Sequence, residues 1–111
     1  MLNIIQGEKQ TVIIDLVSSK TGKRTDLTGN TEIKVCYVAG TTVVEKTKTA
    51  TQVTVIGDEE DGQIQADLQV ADTDSMPPTS EGHIEISIDY GSGDIRKSQI
   101  LNAFSVASKL C

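Results

Sequence analysis

The sequence predicts an all-β fold, namely an antiparallel β-sandwich of six to seven strands. Apolar and polar residues alternate with a period of two over most of the chain, and turns rich in Gly, Asp, Asn and Ser separate these runs at regular spacing. No window of about 11 residues shows a helical period. Since 111 residues suffice for one domain with one core, residues 1–111 are predicted to form a single domain.

The first half of the chain contains four predicted strands. Residues 11–17 alternate as expected for a long first strand, which ends in the turn-rich segment 18–22. Residues 32–37 form the second strand by the same pattern. Residues 42–48 are polar enough to form an edge strand, where Lys46 and Lys48 would discourage pairing with another chain. Residues 52–56 are predicted to pair with this strand.

The second half adds three strands. An acidic turn at 57–62 leads into a strand at 64–70, whose even-numbered residues are predicted to be buried. Residues 71–82 contain a proline pair, so we expect an irregular connection with at most one helical turn and no strand. Residues 84–90 show the strictest alternation, and a last strand over residues 95–106 closes the domain.

The charge balance argues against nucleic acid and membranes as partners. Sixteen acidic against ten basic residues give a formal charge of −6, which repels phosphate backbones and anionic lipids. The first residues lack the basic region of a secretory signal, and the longest aliphatic run, Val12-Ile13-Ile14, is far shorter than the ~20 residues of a membrane span. We therefore expect a soluble protein made in a cytoplasm.

Two cysteines, Cys36 and Cys111, do not form a disulfide scaffold and fit a reducing compartment. Cys36 falls inside a predicted strand and is expected to be a half-buried thiol, whereas Cys111 is the last residue and is expected to be a mobile tail thiol without reactivity. A bridge within or between chains is the alternative. Aromatic residues make up 3% of the chain and Trp is absent, so the core must consist mainly of Ile, Val and Leu.

The sequence offers no constellation typical of an enzyme, and we predict no catalytic residue and no cofactor. His83 is the only histidine, and no motif supplies it with a nucleophile. The acidic turn at 57–62 lacks the ligand spacing of an EF-hand loop, so solvated charges are favoured over a Ca²⁺ site. Residues 91–93, Gly-Ser-Gly, are predicted to form a hairpin turn rather than a phosphate loop.

The segment Asp26-Leu27-Thr28-Gly29 lies between two predicted strands. Asp26 can accept backbone N–H groups in an Asx-type turn, Leu27 can enter the edge of the core, and Gly29 permits a positive φ. These four residues are therefore predicted to form a structural turn rather than a contact site.

The spacing of this turn relative to several glycines is similar to that in the immunoglobulin-like amino-terminal domains of phage baseplate upper and related tail proteins. The resemblance covers most of the chain. It implies an Ig-like topology, although the Cys–Trp–Cys core of antibody domains is absent. The matching features besides the turn are Gly7-Glu8, Gly22, Gly62, Thr73 and Gly82-His83-Ile84-Glu85-Ile86.

This resemblance implies a bacteriophage virion protein, a structural or adaptor subunit of a tail, baseplate or capsid surface that is made in the host cytoplasm. Its expected partners are other virion proteins and copies of itself, with a trimer or hexamer favoured. The alternative is a recognition or adhesin domain that binds a cell-surface protein or glycan. Sugar-binding sites usually present aromatic platforms, of which this chain has few.

The two ends of the chain are the predicted interface between subunits. Residues 1–6 and 100–106 are apolar and lack the charged residues that protect exposed strands. The predicted interface residues are Leu2, Ile4, Ile5, Ile100 and Phe104.

Overall fold

The computed structural model describes residues 2–17 and 22–108. Strands make up 51% of the chain and helix 9%, which confirms the predicted all-β class. The elements are β1 (Leu2–Ile5), β2 (Ile13–Asp15), β3 (Glu32–Ala39), β4 (Thr42–Thr47), β5 (Thr54–Val55), a 3₁₀ turn (Glu59–Asp61), β6 (Gln63–Gln65), α1 (Val70–Ser75), β7 (Thr79–Asp89) and β8 (Ile95–Ala107).

The strands form two sheets. The larger sheet has the order β1-β8-β7-β3-β4, and the smaller sheet has the order β2-β6-β5. Pairing is antiparallel except between β1 and β8, where Leu2 lies opposite Phe104 in a parallel register. The larger sheet is therefore mixed, with one parallel pair among antiparallel ones.

The core lies between the two sheets, which is compatible with a sandwich. One cluster of buried residues includes Ile14 and Ile64 of the smaller sheet together with Val35 and Ile86 of the larger sheet. Each of these strands alternates buried residues with intermediate or exposed ones, as a half-buried strand must. The period-two pattern of the sequence thus creates both inner faces.

An aromatic pair ties the layers together. The Tyr37 ring contacts the Phe104 ring edge-on, with centroids 6.1 Å apart, and the Tyr37 hydroxyl donates to the Ala66 carbonyl beside the opposite sheet. Burial raises the pKa of Tyr37, so the phenol remains a protonated donor. Gly82 makes room for this arrangement, because a Cβ there would lie 2.3 Å from the Phe104 ring.

The predicted pairing of residues 42–48 with 52–56 is wrong. β4 pairs with β3, with Ala39 opposite Thr42, because a two-residue turn at Gly40 returns the chain directly onto β3. β5 instead pairs with β6, where Val55 lies opposite Ile64. A turn at residues 48–51 therefore carries the chain from one sheet to the other.

Two predictions for the connection before β7 also fail. Residues 79–82, expected to be irregular, already form β7, with Thr79 opposite Val106; the prolines precede the strand and remove no ladder hydrogen bond. Val70, expected to be buried, is 53% exposed. Helix α1 begins at Val70, so the alternation of buried and exposed residues ends at residue 69.

Candidate functional site

The structure places all four residues of the predicted turn in one compact loop. The Thr28 N–H donates to Asp26 Oδ1 over 2.9 Å, Leu27 is fully buried, and Gly29 has φ +84°. Hydrogen bonds from the side chain and backbone of Thr28 lower the pKa of Asp26. The carboxylate is thus held in its charged form by its own loop.

This loop is fastened to the rest of the protein. The Leu27 N–H donates to the Glu59 carbonyl over 2.9 Å, and Asn30 Nδ2 donates to the Leu27 carbonyl over 2.7 Å. The Tyr90 hydroxyl donates to the Asp26 carbonyl over 2.7 Å. The polar groups of the loop are engaged within the subunit, which fits a structural role.

The acidic turn carries no metal-binding geometry. Glu59–Asp61 form one 3₁₀ turn, and the Asp58 N–H donates to Asp61 Oδ2 over 3.4 Å. The four acidic side chains are exposed. Within residues 2–17 and 22–108, no three His, Cys, Asp or Glu side chains gather as a metal-ion site would require.

His83 and Cys36 lie on the outer face of the larger sheet. His83 Nε2 is 3.8 Å from Glu85 Oε1. Burial, and next the charge of Glu45, raise the pKa of the Cys36 thiol, which is the opposite of what a reactive cysteine requires. Cys111 lies outside the described residues, so its predicted role stays a prediction.

The structure divides the predicted interface residues into two groups. The side chains of Ile4 and Phe104 are buried in the core of the chain and cannot contact a partner. Leu2 is half-buried, and Ile5 and Ile100 are exposed. The pleat separates Ile4 from Ile5, because neighbouring residues of a strand point to opposite faces.

One side of the described part of the chain is left uncovered. Residues 95–100 of β8 are exposed on both faces, and β2 is an edge strand of the smaller sheet. Two cavities of about 590 and about 730 Å³ share Asp15 and Ile100. We call them together the β2–β8 groove, lined by residues 11–17 on one wall and by Ile84, Ile88 and residues 96–100 on the other.

This groove exposes two isoleucines, of which the sequence analysis named Ile100 as an interface residue and missed Ile13. Ile13 is 54% exposed and Ile100 is 39% exposed. The alternation in residues 11–17 was a visible signal, because it gives this strand an outward-facing isoleucine. The exposure of residues 95–99 of β8 had no such signal, since it depends on how far the other sheet extends.

A buried ion pair also escaped sequence reasoning. The Lys46 side chain is 7% exposed, and its Nζ lies 2.6 Å from Asp72 Oδ2. Asp72 Oδ2 also accepts the Gln69 N–H over 2.7 Å. The pair therefore holds the start of α1 against β4.

A small polar cavity lies beside this ion pair, between the edges of the two sheets. Its volume is about 210 Å³. All seven side chains that line it are polar: Lys46, Thr51, Gln52, Thr54, Gln65, Asp67 and Gln69.

Comparison with known proteins adds no family: no family model matches the chain, and no curated protein matches it. In the described part of the chain, no helix has both the length and the apolar character to cross a membrane.

Proposed function

We propose that this protein is a structural or adaptor subunit of a phage virion, located in the tail, the baseplate or the capsid surface, and that it acts through protein–protein assembly. The observation that carries the proposal is the uncovered side of the molecule, the β2–β8 groove with the exposed half of β8. The resemblance of the chain to Ig-like phage domains supports the same class.

The groove is suited to contact with protein rather than with nucleic acid. It combines the exposed apolar side chains of Ile13 and Ile100 with a backbone edge at β2. Apolar surface removed from water contributes about 25 cal/mol per Å², and a large exposed apolar patch marks an interaction site more often than ordinary surface. The net charge of −6 disfavours a polyanion.

Two stacked sheets around one core are the architecture expected of an Ig-like adaptor domain. The polar groups of the Asp26 turn are engaged in hydrogen bonds within the chain. An Ig-like module of this kind serves as a rigid body that presents surfaces to neighbouring subunits. We assign the protein to the assembled virion on that basis.

Native mass spectrometry at micromolar concentration tests the proposal. We expect a homo-oligomer, with a trimer or hexamer ahead of a dimer, and we expect the protein in purified particles. Ile100→Ser should weaken the oligomer, whereas Val43→Ser, on the opposite side of the larger sheet and 57% exposed, should leave it intact. Removing residues 1–6 is a poor test, because it also removes Ile4 from the core.

A monomer at about 100 μM, where mass action strongly favours association, together with absence from particles, would contradict the virion proposal. The second candidate would then take first place, namely a recognition domain for a cell-surface protein or glycan. The polar cavity beside Lys46 favours that candidate, because its amide, hydroxyl and carboxylate groups suit a ligand rich in hydroxyl groups. A glycan array tests it directly.

A further inference from the structure

We infer that β2 is the site at which two copies of this chain join, by antiparallel pairing of β2 with β2 of the second copy about a two-fold axis at Ile14. This inference rests on the proposed function, because it names the partner of the β2–β8 groove. The two three-stranded sheets would then form one continuous six-stranded sheet across the dimer.

β2 is the edge strand with the strongest reason to pair. Among the four edge strands of the described chain, β4 points the charged Lys46 inward, a common protection against pairing, and β5 has only two residues. A strand added beside β1 would meet Ile4, which is already buried. A strand added beside β2 would cover the exposed Ile100 and the uncovered inner face of β8.

The backbone of β2 is prepared for such a partner. The Val12 carbonyl accepts from Ala66 N over 2.9 Å, and Leu16 N donates to the Gly62 carbonyl over 2.7 Å, so the even-numbered residues face β6. In an antiparallel ladder this direction alternates. The N–H and C=O groups of Ile13 and Asp15 therefore point to the free edge, along which the groove runs.

The register with Ile14 opposite Ile14 of the second copy satisfies both the hydrogen bonds and the charges. With Ile14 opposite Ile14 of the second copy, Ile13 and Asp15 of the two copies form hydrogen-bonded pairs through their free edges. Asp15 then opposes an isoleucine. A register shifted by two residues toward the carboxyl end would place the two Asp15 side chains directly opposite each other, which is unfavourable.

The same register continues the apolar inner face. It places Val12 of one copy opposite Leu16 of the other, next to the Ile14 pair, so that buried residues of both copies form one surface. The added strand lies in the groove, above the β8 residues whose partners Ile84, Ile86 and Ile88 are already buried. The second copy thereby covers the inner face of β8 that the three-stranded sheet leaves exposed.

Charge substitution at Ile13 tests the register, because this side chain is 54% exposed and faces Asp15 of the second copy. Ile13→Glu should raise the dissociation constant of the dimer at least about tenfold, since it creates two repulsive pairs per dimer. Ile13→Lys should keep the dimer or strengthen it, since it creates two attractive pairs. Val43→Glu, a matched change on β4, should leave the dimer unchanged.

The measurement is analytical ultracentrifugation of the full chain, with thermal melting to show that each variant folds. Loss of the dimer in Ile13→Glu alone supports the inference. Equal effects of Ile13→Glu and Ile13→Lys, or of Ile13→Glu and Val43→Glu, would overturn it. A trimer insensitive to Ile13→Glu would also overturn it while upholding the proposed virion function, whereas a hexamer that falls to trimers in Ile13→Glu supports both.

Discussion

At the scale of single residues, Gly62 is the point where the backbones of several turns come into close contact. Its carbonyl accepts the Leu16 N–H over 2.7 Å, its φ is +63°, and a Cβ there would lie 2.6 Å from the Thr25 carbonyl oxygen. Leu16, Thr25 and the acidic turn thus converge on a residue that has no side chain. The glycine is required both by conformation and by space.

Gly62→Ala should therefore destabilise the protein by about 3 kcal/mol or more, because the strain of positive φ adds to a collision with backbone. Gly29→Ala is the matched control. Gly29 also has positive φ, +84°, but a Cβ there meets nothing within 4 Å, so its cost should be only about 1 to 2 kcal/mol. Urea denaturation measures both, and equal losses would contradict the role given to Gly62.

The lowered pKa of Asp26 predicts how the stability of the turn depends on pH. Hydrogen bonds from Thr28 lower the pKa of Asp26 from its usual value of 3.8, so the unfolded chain takes up this proton first as the pH falls. The contribution of Asp26 to stability is complete well above pH 3.8 and is lost as the pH falls through its lowered native pKa.

Asp26→Asn should keep the turn at neutral pH, because the amide oxygen can still accept the Thr28 N–H. The free energy of unfolding should then fall less steeply below about pH 4 than in the native protein. Asp26→Ala is the control, since it removes the acceptor at every pH and should be less stable throughout. Identical acid sensitivity of the native protein and Asp26→Asn would show that the carboxylate does not contribute.

At the scale of elements, the Lys46–Asp72 pair fixes α1 to β4. Both charges are largely withdrawn from water, so removing one leaves the other without compensation. The exposed pair of Lys34 and Glu45, 3.8 Å apart, offers the contrast, because surface ion pairs contribute little.

Asp72→Asn should destabilise the protein by about 3 kcal/mol, since Lys46 keeps its charge in a buried position. The double variant Lys46→Met with Asp72→Asn should recover most of that loss, because no buried charge remains. Glu45→Gln should cost at most about 0.5 kcal/mol. Thermal or urea unfolding distinguishes the three, and a double variant no better than Asp72→Asn would refute the explanation.

At the scale of the whole molecule, the two sheets are of unequal width, with five strands in one and three in the other. Residues 95–100, the first half of β8, are exposed on both faces. The acidic turn, by contrast, is exposed and carries no gathered ligand set in the described residues. We therefore expect assembly, rather than metal binding, to stabilise the native state.

Millimolar Ca²⁺ should shift the melting temperature by less than about 1 °C, because a ligand stabilises only in proportion to its occupancy of the native state. Mg²⁺ at the same concentration serves as the control for ionic strength. A rise of many degrees that a chelator reverses and that Asp58→Asn abolishes would establish a Ca²⁺ site in the acidic turn.

The sequence by itself determined the all-β class and most strand positions. Period-two alternation is a local property, so it identified the buried residues Ile33, Val35, Ile64 and Ile86 correctly. The turn at Asp26 could also be predicted from the sequence, because an Asx turn depends on residues only two positions apart.

Only the tertiary structure decided which strands pair and which surface stays open. The partner of β4, the parallel pairing of β1 with β8 and the burial of Ile4 and Phe104 all join distant segments. No local pattern specifies such a contact, because each strand pairs equally well with several others by its alternation alone. The β2–β8 groove follows from the same cause, since the extent of one sheet over another is a property of the complete packing.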